Sequence, residues 1–330
     1  MQHKSHSPSL SRRATLLLAL AATATASTGA WAQAWPTKPV RLVVGYSAGG
    51  GVDAMARLLA PRLSAVLGQQ VVVENRTGAA GLIAGDTVAR AAPDGYTLML
   101  GDSSLLIAQH LQPRMSFDPI KSFTPVAGVF TLPLVIVVNN DVPAKTPAEF
   151  VKLLRDQPGR FSYATSGVGT VHHLGFEMLK AKARSFVVHI PYRGASQIVP
   201  DVMSGQVPIG VVSATSAIAQ ARAGKLRALA VMNPVKLVGG EDIAPLSDAL
   251  PGFSAVPRLY VLAPTGTPAP IVDKLSEALR TVMDAPDMAQ VSAQQGAVPA
   301  YMPSGPLAAD IVKESAEWGK VIREQGITAQ

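Results

Sequence analysis

No cysteine occurs among the 330 residues. Disulfides, thiolate metal centres and a cysteine nucleophile are therefore excluded, and stability must come from packing. Charged residues are sparse at 15% and aromatic ones at 5%, against 48% hydrophobic. A chain of that balance is globular rather than disordered, and it is long enough for two ordinary domains. Lys and Arg outnumber Asp and Glu by 29 to 22, yet they form no basic run and are not interleaved with aromatics. That pattern argues against a nucleic-acid surface and leaves only a mild attraction for anionic solutes. No apolar run is long enough to span a bilayer. There is no G-K-[ST] phosphate loop. His172 and His173 are adjacent, so on a helix they point about 100° apart and cannot share a metal. With no further histidine or carboxylate at ligand spacing, neither a metal nor a cofactor is expected.

Two stretches share one design, in which a strand runs into a Gly/Ser loop and then a helix. The first is Val40–Val44 followed by Gly45, Tyr46, Ser47, Ala48, Gly49, Gly50, Gly51, Val52 and Asp53. The second is Phe161–Ala164 followed by Thr165, Ser166, Gly167, Val168, Gly169 and Thr170. Glycine lets a backbone turn its N–H groups inward, and a helix N-terminus carries unpaired donors with a partial positive charge. Each loop is thus an anion cradle, and two of them predict a cleft that grips a small anion from both sides.

Residues 1–32 read as an export signal. Lys4, Arg12 and Arg13 form a basic segment, Ala14–Ala26 a short apolar run, and Ala30-Trp31-Ala32 a small-x-small cleavage site. Ser11-Arg12-Arg13 also fits a twin-arginine motif, so export by either the Sec or the Tat route is open. From Val40 onward β-branched runs alternate with helical periodicity, which predicts α/β layering. Helical spacing covers Val52–Leu67 with Pro61 inside it, and a further helix is expected at Ile83–Ala91. Strands are expected at Gln70–Glu74, Tyr96–Leu100, Leu134–Val138, Val187–Ile190, Val207–Val212, Leu226–Val231 and Leu259–Leu262. Residues 233–256 read as a long connector, followed by tail helices at Ile271–Met283 and Leu307–Arg323. Ser103 follows the strand ending near Leu100, where ligands of open α/β sheets collect.

Gly45-Tyr46-Ser47-Ala48-Gly49 also spells G-x-S-x-G, the nucleophile elbow of serine hydrolases. Few residues precede it, although that fold needs several strands and an oxyanion loop first, so an exported hydrolase using Ser47 is the rival reading. Asp53 reads equally as a complement to the helix dipole and as an acceptor for a ligand ammonium or hydroxyl. Neither loop contains Lys or Arg; Arg193, beside Gly194, is the one cation placed to reach the cleft.

In order and spacing the chain resembles the periplasmic solute receptors of tripartite tricarboxylate transporters, the Bug family. The matching segments include Trp35-Pro36-Thr37-Lys38-Pro39-Val40-Arg41, Gly49-Gly50-Gly51-Val52-Asp53, Val72-Val73-Glu74-Asn75-Arg76, Ala92-Pro93-Asp94-Gly95-Tyr96, Tyr192-Arg193-Gly194 and Ser204-Gly205-Gln206-Val207. The resemblance implies a type II periplasmic-binding-protein fold of two α/β lobes. The expected division is 33–127 plus 256–330 for one lobe and 128–255 for the other, with hinges near Val126–Val129 and Ala255–Leu259. It implies a carboxylate site on Ser47–Asp53 and Thr165–Thr170, with His172 just beyond; the candidate ligand-binding set is Tyr46, Ser47, Ala48, Gly49, Gly50, Gly51, Asp53, Ser103, Thr165, Ser166, Gly167, Gly169, Thr170, His172 and Ser213. The implied ligand is a dicarboxylate, an acidic amino acid or an aromatic acid, delivered by a monomer to a cognate membrane permease, with no enzymatic step. A sensor of the same fold that docks on a signalling protein reads identically. The chain departs from the family's pattern at Pro208, at Val212-Ser213 and over Asn233–Asp242, all in the second lobe.

Overall fold

The structure is a computed structural model that describes residues 35–328 apart from 113, 235, 236 and 238. The expected export segment, 1–32, lies outside the described residues. The compact unit Lys38–Gln330 holds two sheets.

Eleven strands are numbered among the described residues: β1 (Val40–Val44), β2 (Val71–Asn75), β3 (Thr97–Asp102), β4 (Phe123–Thr131), β5 (Leu134–Val138), β6 (Ser162–Thr165), β7 (Val188–Pro191), β8 (Ile209–Ser213), β9 (Arg227–Val231), β10 (Arg258–Pro264) and β11 (Val298–Pro303). The first sheet has the order β11-β4-β10-β3-β1-β2 and the second β7-β6-β8-β5-β9. β1 runs parallel to both β2 and β3, and β6 parallel to both β7 and β8. The two glycine loops therefore leave equivalent strands, each one in from a sheet edge and flanked by two parallel neighbours, beside the switch point of each sheet.

The helices are α1 (Gly51–Leu67), α2 (Leu82–Ala89), α3 (Ser104–Leu111), α4 (Pro147–Asp156), α5 (Val171–Ala183), α6 (Ala195–Met203), α7 (Ala214–Arg222), α8 (Ala269–Met283), α9 (Met288–Gln294) and α10 (Ser304–Gln325). Among the described residues no helix is long and apolar enough to cross a membrane.

Helices cover both faces of the second sheet, which is why β5 reads Leu-Val-Ile-Val-Val with every residue buried. Leu134, Ile136 and Val138 enter one core, Val135 and Val137 the other. α4 has its own start signal: Thr146 Oγ1 accepts the Glu149 N–H at 3.2 Å, Glu149 accepts the Lys145 N–H at 2.7 Å, and Pro147 opens the helix. α1 runs through Pro61 as one helix.

β4 stays paired with β10 until Thr131, so the chain passes to the second sheet at Leu132–Pro133, a few residues beyond the boundary expected at 127. The return strand is tied to that passage: Leu132 N–H donates to Pro257 O at 2.9 Å, and Ala255 N–H to Met232 O at 2.8 Å. The connector over 233–256 contains, among its described residues, one short 3₁₀ turn at Leu246–Asp248. The end of α10 crosses over as well, since Ile322 belongs to a core of the second lobe.

Candidate functional site

At the C-terminal end of β1, Gly49 takes φ of +80° and Gly50 N–H closes a turn on Ser47 O at 3.2 Å. Gly50 then caps α1 with no side chain, so the first-turn donors stay uncapped by side chains. Asp53, only 2% exposed, holds this loop from behind. Its Oδ2 accepts from Gly49 N–H and Arg57 Nε, each at 2.9 Å, and its Oδ1 from Asn75 Nδ2 at 2.8 Å. Burial alone would raise its pKa, but the bonds from Arg57, Gly49 and Asn75 outweigh that and hold it below the ordinary carboxylate value. The dipole-and-loop role thus accounts for Asp53, whose oxygens are engaged inside the lobe.

The second loop bends through Gly167 and Gly169, at φ of +123° and +82°. Thr170 caps α5 by accepting the His173 N–H at 3.2 Å, while its own hydroxyl donates to Gly167 O at 2.8 Å.

The loops meet across the lobes. A cavity of about 20 Å³, room for one water at most, is lined by Tyr46, Gly50, Gly51, Val52, Leu132, Ser166, His172, Gly194, Ala195 and Ser213. Its wall includes the N-terminal residues of four helices: Gly50 and Gly51 of α1, His172 in the first turn of α5, Gly194 and Ala195 of α6, and the N-cap Ser213 of α7. The lobes touch at its edge, where Ser47 Oγ and Ser196 Oγ lie 2.9 Å apart. A Cβ built on Gly51 would stand 2.2 Å from Ser213 Oγ, and one on Gly194 2.1 Å from Ser47 Oγ. Glycine is what permits this approach.

No Lys or Arg lines the cavity. Arg193 is exposed beside it, with its N–H on Gln197 Oε1. His172 is 7% exposed and its Nδ1 is buried without a hydrogen-bond partner. Burial pushes its pKa down to about 4, so the ring is a neutral donor or acceptor at ordinary pH. Tyr46 is fixed from behind, its hydroxyl donating to the Asp102 carboxylate at 3.0–3.1 Å. Burial pushes Asp102 up to about 6 against the bonds it accepts from Ser104 and Tyr46.

The expected residues divide accordingly. Tyr46, Gly50, Gly51, Ser166, His172 and Ser213 share the cavity, and Ser47 stands at the lobe contact. Thr165, Gly167, Gly169 and Thr170 shape the second bend without lining the cavity, and Ala48 and Gly49 are exposed. Ser103 stands apart from the cavity. It is fully buried, its Oγ donates to Glu314 Oε1 at 2.5 Å and accepts the Arg258 N–H at 3.0 Å, and no part of it reaches the cavity. Gly194, Ala195 and Ser196 were missed by the sequence reading; the available signal was a glycine directly before a helical pattern. Ser47 makes its hydrogen bond to a serine. Among the described residues no cluster of histidines and carboxylates could hold a metal.

Comparison with known proteins shows the family and the fold. The sequence model described as "Tripartite tricarboxylate transporter family receptor" matches residues 55–327. The protein BugT of Bordetella pertussis is 31% identical over 298 residues, covering 89% of this chain and 91% of its own. A Rhodopseudomonas palustris protein solved with adipate superposes with a TM-score of 0.86 at 30% identity, over 89% of this chain and 99% of its own. MatC of Rhodopseudomonas palustris, solved with malate, gives 0.81 at 30% identity, over 87% and 100%.

Proposed function

Because the chain belongs to the receptor family of tripartite tricarboxylate transporters, whose members bind solutes in the periplasm, we propose that it captures a small dicarboxylate between its lobes and presents it to a membrane permease. The convergence of four helix N-termini on one cavity without a cationic side chain carries this reading. A helix N-terminus contributes up to about 2 kcal/mol to a partly buried anion, and removing a carboxylate from water costs several kcal/mol. One terminus cannot offset that cost; several acting with backbone and hydroxyl donors can. Malate and adipate, found in the related structures, are the first candidates. The neutral His172 with its unpartnered Nδ1 fits a ligand hydroxyl or a carboxylate oxygen. The protein acts as a monomer, exported by its N-terminal segment, and leaves the ligand chemically unchanged.

Thermal melting against a panel of di- and tricarboxylates, acidic amino acids and aromatic acids tests the proposal. A ligand at a hundred times its Kd adds about 2.7 kcal/mol, a shift of several degrees. If every acid leaves the melting curve unmoved while esters are cleaved in a Ser47-dependent way, a hydrolase replaces the receptor.

A further inference from the structure

Two histidines stand behind the second glycine loop, outside the small cavity between the lobes. His173, in the first turn of α5 and 5% exposed, takes the Gly169 N–H on its Nδ1 at 3.3 Å. His189, on β7, meets Thr165 Oγ1 through its Nε2 at 2.7 Å. That hydroxyl lies 3.3 Å from both the N and the O of Gly167, so it ties His189 to the other bend of the loop. The rings are stacked, with centroids 4.3 Å apart and planes at 25°. Each histidine therefore holds one of the two glycine bends, and the stack holds the histidines to each other.

The chemistry fixes the protonation. Gly169 N–H is a donor, so Nδ1 of His173 must present its lone pair and the ring proton must sit on Nε2. Nε2 faces Glu177 Oε1 at 3.8 Å. An imidazolium would turn N–H against N–H at Gly169 and release the bend. A cavity of about 410 Å³ on the outer side, lined in part by His173, Glu177, Lys180 and His189, gives protons a route in.

We propose that His173 and His189 are positioning residues of the anion cradle: as an uncharged stacked pair they set the two bends of residues 165–170, and protonation of the pair loosens the loop. The link from loop to affinity rests on the receptor reading; the link from histidine to loop does not. The charged and titratable groups facing the pair are Glu177 and Lys180 of α5 and Tyr163 of β6, besides the two rings themselves. From the end of α10 comes Gln325, which carries no charge. Burial pushes His173 down to about 4, with Glu177 opposing and Lys180 assisting. Burial, His173 and Lys180 together push His189 down to about 3.

The test is nuclear magnetic resonance on the ¹⁵N-labelled chain at pH 7. The wild-type His173 ring should be neutral with its proton on Nε2; a proton on Nδ1, or an imidazolium, overturns the proposal without any variant. In His173→Phe, which keeps a stacking ring, Gly169 N–H should exchange about tenfold faster; in His173→Gln, which keeps an acceptor, it should stay within about threefold of wild type. Unchanged exchange in a folded His173→Phe overturns the proposal. His189→Phe should act in the same way on Gly167. With malate and adipate as probes, Kd should weaken about tenfold in His173→Phe and recover in His173→Gln. If neither acid binds the wild-type chain, the carboxylate reading fails, while the tautomer and the exchange rates still decide the role of the histidines.

Discussion

Gly51 stands where the two lobes approach closely, and the missing Cβ is the reason they can. An added methyl would lie 2.2 Å from Ser213 Oγ, 2.7 Å from Ser213 Cβ and 2.8 Å from Leu132 Cδ2. Overpacking of that kind costs about 1–3 kcal/mol. The strain falls on the contact between lobes, so Gly51→Ala should weaken ligand binding about tenfold in calorimetry and leave the ligand-free melting temperature nearly unchanged. Equal losses of both would mean that the contact holds the fold rather than the ligand. Asp53 should behave in the opposite way. With its carboxylate accepting from Gly49, Arg57 and Asn75, Asp53→Asn should cost about 2–4 kcal/mol of stability in denaturant unfolding. Its pKa is lowered in the fold, so its contribution is complete at neutral pH and is lost as the pH falls below the ordinary aspartate value. In the Asn variant that acid-dependent loss should be absent.

Two helices carry the same kind of cap in different places. Thr146 caps α4 and Thr170 caps α5, each accepting an N–H at 3.2 Å. Replacing either threonine by alanine should cost about 1 kcal/mol. Only Thr170→Ala should also reduce ligand affinity, since Thr170 binds Gly167 O as well; an equal effect of Thr146→Ala would remove α5 from the site. Elements like these were legible because their signals are local. β5 was read to the residue from its unbroken aliphatic run, and both glycine loops from their strand–loop–helix pattern. α3 was not: Ser-Leu-Leu-Ile-Ala-Gln-His-Leu is buried nearly all round and shows no helical period. β11 carries a proline at its second residue and another at its end, which its place at the sheet edge tolerates and its sequence conceals. The inward bond of Ser103 was illegible for a different reason. The carboxylate that draws it inward, Glu314, is 211 residues away, and no local pattern announces that partner.

Across the whole molecule, buried histidines and buried acids oppose one another on acidification. His172 and His173 are pushed down to about 4 and His189 to about 3, so the unfolded chain takes up three protons there that the folded one refuses. Asp102 is pushed up to about 6 and Glu314 is raised as well, both by burial, so the folded chain takes up protons that the unfolded one refuses. Three histidines oppose two acids, so the balance costs stability on acidification. His172→Gln should make that loss shallower in denaturant melts at stepped pH. Asp102→Asn should make it steeper. A wild-type profile that rises on acidification would contradict the burial of the histidines.

The placement of β10 between β3 and β4 has one more consequence. During synthesis the ribosome delivers β3 and β4 more than a hundred residues before the strand that must join them. The second sheet, contiguous from β5 to β9, can pair its strands meanwhile, while the first waits as two fragments with bare backbone edges, open to mispairing or to a chaperone. A nascent chain halted before Arg258 would thus carry one paired sheet, still lacking Ile322 from its core, and one unfinished sheet.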